Sequence, residues 1–529
     1  MNSAKPAALG SIVVLLVIAV LLWAPWNRQG VAEGEQLILY CAAGMLRPVE
    51  KIADQYEREY GVRILIEPDG SGKLLAKIKG APNRGELYLA ADPSYIIEAR
   101  QLRLVAESVP VAQMRPVLVV NSKTQQQLEN DGHPIESLDD LLRTDISVAL
   151  ANPELASIGK LTKQLLTESG HWSTLEERMR RHSGAKVSTL GTVTEVAQTV
   201  RLKTGYVGIV WDSVATQYDG LDVVHTDQFD QAIQQITISV LTNAKGDRAT
   251  AALQFARYLT ARDKGLTWFE QFNFEPVPDA DTWAERPAPI LMSGAMLKPG
   301  IDQIVKAFGQ REGVTVRTNY NGCGVLVSQM ESIQNKGLSK QFPDAYFSCD
   351  INFMNMVQQW FDAASIISNN DIVMIVGKDN PLGIRSQEDL ARADLTIGFA
   401  HPENSALGAL TDDLLKQVGL HPRVYTDDWR DRIVHADAGH DLVNKLRAKA
   451  LDLAVVYRSN AKATPANLEE HMDIVEIDVA GALAEQPFAI AADSDHKYLM
   501  KRLLQAIVAE QSQDRFRSLG FQWVYTENP

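Results

Sequence analysis

A chain of 529 residues is too long for a single hydrophobic core, so two or more domains are required. Its apolar content of 45% and charged content of 22% are those of a globular protein and exclude a disordered or fibrous one. A formal net charge of −14 argues against nucleic acid and anionic membrane surfaces as general partners, so an anionic ligand would have to be held by local dipoles.

At the front, Lys5 precedes an uncharged run over 7–25 dominated by Leu, Val, Ile and Ala, and Arg28 follows it. Residues 1–30 therefore read as a signal peptide or an uncleaved signal anchor, with the bulk of the chain exported. No clear small-x-small cleavage site follows Trp23-Ala24-Pro25-Trp26, which favours a transmembrane anchor. Cys41 is not a convincing lipid-attachment cysteine, because Glu33 and Glu35 separate it from the apolar run.

Residues 36–40 read as a strand that stops at the small residues Ala42-Ala43-Gly44. A helix is expected over 48–60, with Val49, Ile52, Ala53 and Tyr56 on one face and Gly61 as its stop. A strand over 62–67 leads to a second small-residue turn, Asp69-Gly70-Ser71-Gly72-Lys73, and a helix over 74–79. A third strand over 87–91 ends at Asp92. This β-α-β-α-β order predicts a parallel sheet with right-handed crossovers. Small residues at such turns let the backbone approach a ligand, and the free N–H groups of the following helical turn bind anions.

Further strands are expected over 115–121 and 146–151, the latter running into Asn152-Pro153-Glu154 and a helix that opens at Ser157-Ile158-Gly159. Another helix opens at Thr194-Glu195-Val196. The strand over 206–211 ends in Trp211-Asp212-Ser213, one over 236–241 follows, and a helix over 249–259 closes the unit. Residues 277–288, flanked by Pro276 and Pro289 and containing Pro278 and Pro287, read as a linker.

The second half repeats these markers in the same order. Gly44-Met45-Leu46 returns as Ala295-Met296-Leu297, and Asp69-Gly70-Ser71-Gly72 as Asn321-Gly322-Cys323-Gly324. Asp92 returns as Asp350, and Asn152-Pro153-Glu154…Gly159 as His401-Pro402-Glu403…Gly408. Trp211-Asp212-Ser213 returns as Tyr457-Arg458-Ser459. Five markers in one order indicate a tandem duplication, in contrast to a solenoid with its far shorter repeats.

The chain has no Gly-x-Ser-x-Gly elbow, no phosphate-binding Gly-x-x-x-x-Gly-Lys loop and no His-Glu-x-x-His pair, so an enzyme is not expected. His435 and His440 flank Asp437 and Asp441, but in a loop leading to a helix, where solvated surface is the better reading than a metal site. The three cysteines, Cys41, Cys323 and Cys349, form no C-x-x-C or Cys/His cluster. A bridge between Cys323 and Cys349 requires their strand ends to lie close.

At the duplicated markers the chain resembles the periplasmic molybdate-binding proteins of ABC transporters and, more broadly, the type II solute-binding fold. The resemblance implies an α/β fold of two tandem type II periplasmic-binding-protein units, 36–276 and 289–525, each of two α/β lobes with a ligand cleft between them. In the first unit the lobes would comprise 36–115 with 225–280, and 116–224. It further implies an oxyanion or other small solute as ligand, a transporter permease as partner, and no cofactor, metal or nucleic acid. The ligand-binding positions it implies are Ala43, Gly44, Ser71, Gly72, Gly159, Val196 and Trp211 in the first unit. In the second they are Gly294, Ala295, Cys323, Gly324, Gly408, Leu442 and Tyr457. The chain departs from the family pattern where Gly44 and Ala295 stand for a serine, Cys323 for a second serine, and Trp211 for a tyrosine. Of the two units, the first is expected to be the better anion binder, because it keeps Ser71; Lys73 beside it would add to this only where its ammonium reaches inward, and a solvated helix residue is the better reading of it. A membrane-anchored sensory or scaffold protein that uses degenerate solute-binding units is the alternative.

Overall fold

The computed structural model describes residues 36–526 apart from 181–184, 404, 422–425, 427–428, 430, 463–470 and 480–481. The apolar run over 7–25, and with it the expected signal peptide or anchor, lies outside these residues. No described helix is long and apolar enough to cross a membrane.

Strand β1 (Gln36–Ala42) organises the first lobe. Leu37, Leu39 and Cys41 enter one hydrophobic cluster, while Tyr40 enters another with Leu74, Leu75 and Tyr88. Alternate residues of a strand face opposite sides, so burial on both marks a central strand covered by helices on each face. It pairs in parallel with β2 (Arg63–Asp69) and β3 (Leu87–Ala90). The intervening helix, Leu46–Tyr60, buries Val49, Ile52, Ala53 and Tyr56, and Gly61 ends it at φ 72°, a left-handed conformation that glycine adopts without strain. Antiparallel β4 (Val105–Met114), β10 (Gln234–Leu241) and the short β11 (Glu275–Pro276) complete a sheet of order β11-β4-β10-β3-β1-β2.

The chain crosses to the second lobe at Arg115. The strand expected over 115–121 starts one residue later, as β5 (Pro116–Asn121), because Pro116 has no N–H to continue the ladder. With β6 (Ser147–Ala151), β7 (Val187–Leu190), β8 (Tyr206–Trp211) and β9 (Leu221–Val224) it forms a sheet of order β7-β6-β8-β5-β9. The segment after β9 leads back to β10, so two chain crossings join the lobes.

The later unit repeats this order through β12 (Ile290–Gly294), β13 (Arg317–Asn321) and β14 (Ala345–Phe347). Its counterpart of β4 and β5 is one unbroken strand, β15 (Ser365–Gly377), with Asp371-Ile372 where the first unit has Arg115-Pro116. That strand carries both lobes into a single ten-stranded sheet with β16 (Ile397–Ala400), β17 (Ile433–Ala436), β18 (Leu453–Tyr457), β19 (Met472–Val475), β20 (Leu483–Ile490) and β21 (Gln522–Trp523).

The segment 277–288 is docked, not slack. Trp283 packs edge-on against Tyr60 and Tyr258, with ring centroids 5.8 and 5.0 Å apart, and its indole N–H donates to the Tyr60 hydroxyl at 2.9 Å. The Asp281 carboxylate accepts the N–H groups of Tyr498 and Leu499 at the head of helix Lys497–Val508. Next to it, helix Asp247–Leu259 of the first unit meets helix Lys298–Glu312 of the second. Arg257 and Arg502 both bond the Glu312 carboxylate, at 2.9 Å and at 2.8 and 3.0 Å, and all three residues are buried.

Candidate functional site

Between the lobes of the first unit, a cleft is lined by the turn after β1, by the head of helix Ser71–Gly80 and by three elements of the second lobe. Ala42, Ala43, Gly44, Gly70, Ser71 and Ala91 form one wall, and Ala156, Ser157, Ile158, Thr192, Val193 and Trp211 the other. No lining residue is charged. Helices Leu46–Tyr60, Ser71–Gly80 and Ser157–Glu168 all start here, and none has a side chain capping its first turn, since Met45, Gly70 and Ala156 hold the cap positions. Their N-terminal N–H groups and positive dipole ends, together with the head of helix Val193–Leu202 behind its Thr192 cap, are what the cleft offers an anion.

The two walls touch. The hydroxyls of Ser71 and Ser157, both buried, lie 3.0 Å apart across the seam. Ser71 Oγ also accepts the Ala91 N–H at 3.2 Å, and the Ser71 carbonyl accepts the Tyr88 hydroxyl at 2.8 Å. The N–H groups of Gly72 and Lys73 donate to the Leu155 carbonyl of the opposite lobe, at 3.1 and 3.3 Å. A carbonyl oxygen thus takes the donors that the head of this helix would offer an anion. The space between the walls is about 10 Å³, roughly the room for one water and too small for a tetrahedral oxyanion. Arg47 to the Gln217 carbonyl, at 2.6 Å, and Lys160 to Ser94 Oγ, at 2.8 Å, also span the seam.

Glycines make this approach feasible. A Cβ on Gly70 would lie 2.2 Å from the Leu155 carbonyl oxygen, and one on Gly72 2.7 Å from the Glu154 carbonyl oxygen. Gly72 therefore meets the other lobe's backbone. A Cβ on Gly44 would sit 3.6 Å from the Trp211 ring, which places that turn and that indole together.

Of the first-unit positions picked out from sequence, Ala43, Gly44, Ser71 and Trp211 line the cleft. Gly159 does not; a side chain there would strike the Ala151 and Asn152 carbonyls of its own lobe, so it serves local helix-on-strand packing. Val196 is also misplaced. Its side chain is fully buried against Gly208 and its N–H is taken by the Thr192 carbonyl. Thr192 and Val193, one turn earlier, reach the cleft instead. Lys73 is the solvated helix residue that its sequence reading favours, exposed and with its ammonium 2.9 Å from Asp69. Ser157 and Thr192 were missed; a serine opening a helix was the visible signal for the first, and only the seam gives it a role.

In the second unit, Cys323 opens helix Cys323–Asn335 as Ser71 opens its helix, and it is bridged to Cys349, with Cα atoms 6.4 Å apart. The Cys349 N–H donates to Cys323 Sγ at 3.1 Å, as the Ala91 N–H donates to Ser71 Oγ. Gly294 makes room for the bridge, since a Cβ there would lie 2.8 Å from Cys349 Cβ. Ala295 lies half-buried in the turn after β12, and Gly324 is the second residue of the Cys323 helix. Gly408 packs on the His401 carbonyl, and Leu442 is a fully buried core side chain, so neither presents a ligand-binding side chain. Ala406 stands where the first unit has Ser157. Tyr457, at the Trp211 position, is buried with no hydrogen-bond partner for its hydroxyl. Burial, then the Asp350 carboxylate, pushes that hydroxyl well above its ordinary pKa.

His401 and His435 stack with centroids 4.8 Å apart, and burial, then His401, pulls the His435 ring below its usual value. His440 is exposed beside Asp441. Among the described residues no group of three His, Cys, Asp or Glu side chains is placed to hold a metal ion.

A family model described as bacterial extracellular solute-binding protein matches residues 37–275 and again 290–522. The chain is 25% identical over 147 residues to a binding protein of Haemophilus influenzae, covering 28% of this chain and 57% of that one. It is 26% identical over 140 residues to an uncharacterized solute-binding protein of Staphylothermus marinus, covering 26% and 40%. It therefore spans less than two-thirds of the length of either curated relative. Among solved structures, the periplasmic molybdate-binding protein of Azotobacter vinelandii aligns at 15% identity and a TM-score of 0.35, covering 45% of this chain and 100% of that chain. The sulfate-binding protein of Mycobacterium tuberculosis H37Rv aligns at 17% identity and a TM-score of 0.37, covering 45% and 88%.

Proposed function

We infer that this chain, which belongs to the bacterial extracellular solute-binding protein family, binds a small oxyanion in its first cleft and delivers it to the permease of an ABC transporter. The observation that carries this reading is the Ser71–Ser157 hydroxyl pair, 3.0 Å apart across the seam, among three uncapped helix heads and no charged side chain. Hydroxyls and N–H groups converging on a desolvated anion give charge-assisted hydrogen bonds without a compensating cation. On opening, the Leu155 carbonyl leaves the N–H groups of Gly72 and Lys73, and the anion takes its place. Ala43, Gly44, Ser71, Gly72 and Trp211, with Ser157 and Thr192, are the residues assigned to this site. Residues 1–30 export or anchor the chain, 36–276 and 289–525 are the two binding units, and 277–288 joins them.

Calorimetric titration of the full chain with molybdate, tungstate, sulfate and phosphate tests this. Saturable binding of at least one is expected, and a folded protein that binds none of the four overturns the oxyanion reading. A second reading, an anchored sensory or scaffold protein, draws on the bridged cysteines and Ala406, which leave the second unit without the serine pair. Permease and ATPase genes beside this one favour transport; their absence favours the second reading.

A further inference from the structure

We propose, on the reading that the lobes of the first unit part and close around a solute, that Arg47 and Lys160 latch that closure. They are positioning residues that slow release of the solute without touching it. Each is a cation that reaches across the seam to a buried tyrosine of the other lobe.

Arg47 stands in the first turn of helix Leu46–Tyr60, in the first lobe. Its guanidinium donates to the Gln217 carbonyl at 2.6 Å and lies 4.8 Å from the centre of the Tyr218 ring, both in the second lobe. Lys160 makes the converse crossing. From helix Ser157–Glu168 of the second lobe, its ammonium donates to Ser94 Oγ at 2.8 Å and lies 5.1 Å from the centre of the Tyr95 ring. Both rings are buried, so each is fixed in its own lobe and the cation comes to it. A cation over an aromatic face is drawn to the ring quadrupole, and here each is also held by an oxygen next to the ring. Ring and cation belong to different lobes, so parting the lobes breaks both clasps. Neither cation lines the cleft. Yet Arg47 follows directly on the turn at Ala43-Gly44, and Lys160 lies one turn along the helix that Ser157 opens. The Tyr95 hydroxyl would lie 3.2 Å from a Cβ on Gly72, whose N–H meets the Leu155 carbonyl. The clasps therefore brace the places where the cleft walls touch.

The second unit has neither cation. Pro299 stands second in helix Lys298–Glu312, as Arg47 does in helix Leu46–Tyr60. Ala409 stands fourth in helix Ala406–Gln417, as Lys160 does in helix Ser157–Glu168, and Phe353 takes the place of Tyr95 behind the Asp350 cap. Lys298, next to Pro299, is turned to Tyr320 of its own lobe, 5.4 Å from the ring centre. One unit of the duplication carries the latches and the other does not, so the two clefts of one chain differ in how long they stay shut.

The test is the distance between the lobes in the full chain without ligand, read by pulsed electron resonance. Spin labels go on Glu57→Cys and Gln198→Cys, exposed helix positions of the first and second lobe. Cys41 is buried and the other two cysteines are bridged, so the labels are selective. Arg47→Ala and Lys160→Ala should each raise the ratio of open to shut chains about three- to tenfold. Lys160→Arg keeps a cation over Tyr95 and should hold the natural ratio. Arg201→Ala is the control, because that guanidinium lies 5.6 Å from the same Tyr218 ring but within one lobe, and the ratio should not move. Arg47, Lys160 and Arg201 are exposed, so the variants are expected to fold, which circular dichroism checks. The two alanine variants should also speed release of whichever of molybdate, tungstate, sulfate and phosphate binds, by a like factor. A ratio unmoved by both, a release rate unmoved by both, or a ratio moved as much by Arg201→Ala overturns the latches. Latches that move the ratio as expected in a chain that binds none of the four anions overturn the oxyanion reading alone.

Discussion

Arg115 and Asp371 occupy the same place in the two units and carry opposite charges. Arg115 precedes Pro116, which pairs with Trp211; Asp371 precedes Ile372, which pairs with Tyr457. Arg115 lies 3.6 Å from Asp212 and 3.3 Å from Glu275. Asp371 lies 3.3 Å from Arg458 and accepts the Gln522 amide at 3.1 and 3.0 Å. The hinge ion pair is thus kept in the duplication with its polarity reversed and its third partner changed to match. If a lobe of one unit docked on a lobe of the other, Arg115 would face Arg458 and Asp371 would face Asp212.

That pair is a weak one. Burial pushes the Asp212 carboxyl up more than Ser213 N–H, Arg115 N–H and the Arg115 charge pull it down, and both side chains are about one-third exposed. A double-mutant cycle of Arg115→Ala and Asp212→Ala, read by urea unfolding, should give a coupling of about 1 kcal/mol or less. Reversing both, Arg115→Asp with Asp212→Arg, gives the units like polarity and should lower the monomeric refolding yield on size exclusion.

Ser71→Ala and Ser157→Ala should each weaken the best oxyanion by about ten- to a hundredfold, the effect of losing one hydrogen bond to a charged ligand. Ser71→Ala should also destabilise the first unit by about 1–3 kcal/mol, because it strands the buried Ala91 N–H. Ser157→Ala has no such second effect, so calorimetry and thermal unfolding together separate ligand contact from structural support.

Gly70→Ala should block closure of the first cleft. Gly70 has φ −67° and ψ 143°, which alanine adopts freely, so the lobe itself is not strained. The added methyl instead meets the Leu155 carbonyl oxygen at 2.2 Å when the lobes shut. A larger radius of gyration by small-angle scattering, with unchanged secondary structure, is the expected result; an unaltered scattering curve counts against it.

The two units should uncouple in acid. Burial pushes the Glu312 carboxyl up, but the charges and hydrogen bonds of Arg502 and Arg257 outweigh it and hold it below the ordinary range. A depressed folded pKa stabilises above the unfolded value and is lost as pH falls through the folded one. The Glu312 contribution should therefore persist down to about pH 4 and fade below it. Glu312→Gln leaves two buried guanidinium groups unpaired and should cost about 3–5 kcal/mol at neutral pH, by chemical denaturation.

Ser213→Ala should be neutral or slightly stabilising. Ser213 Oγ is buried with no partner, whereas its counterpart Ser459 Oγ accepts the Asn370 amide at 2.7 Å. Removing an unbonded buried hydroxyl forfeits nothing. A thermal midpoint lowered by more than a degree or two would show a hydrogen bond that forms only when the lobes part.

The duplication, the strand-turn-helix order and the small-residue turns were legible in the amino-acid sequence alone. Each is written within a few neighbouring residues, in a hydrophobic period or a glycine at a helix end, as at Val49, Ile52, Tyr56 and Gly61. The cleft walls were legible where a local turn makes them, at Gly44 and Ser71. Only the tertiary structure decided the rest. Val196 and Leu442 belong to the core, because burial depends on which strand lies beneath a helix. Lys73 pairs with Asp69, and Cys323 meets Cys349. Ser157 acquires a role only because two lobes bring it to Ser71 from 86 residues away. Propensity and period act over one or two turns of chain, whereas the meeting of two lobe surfaces depends on all the packing between them, which no local pattern records.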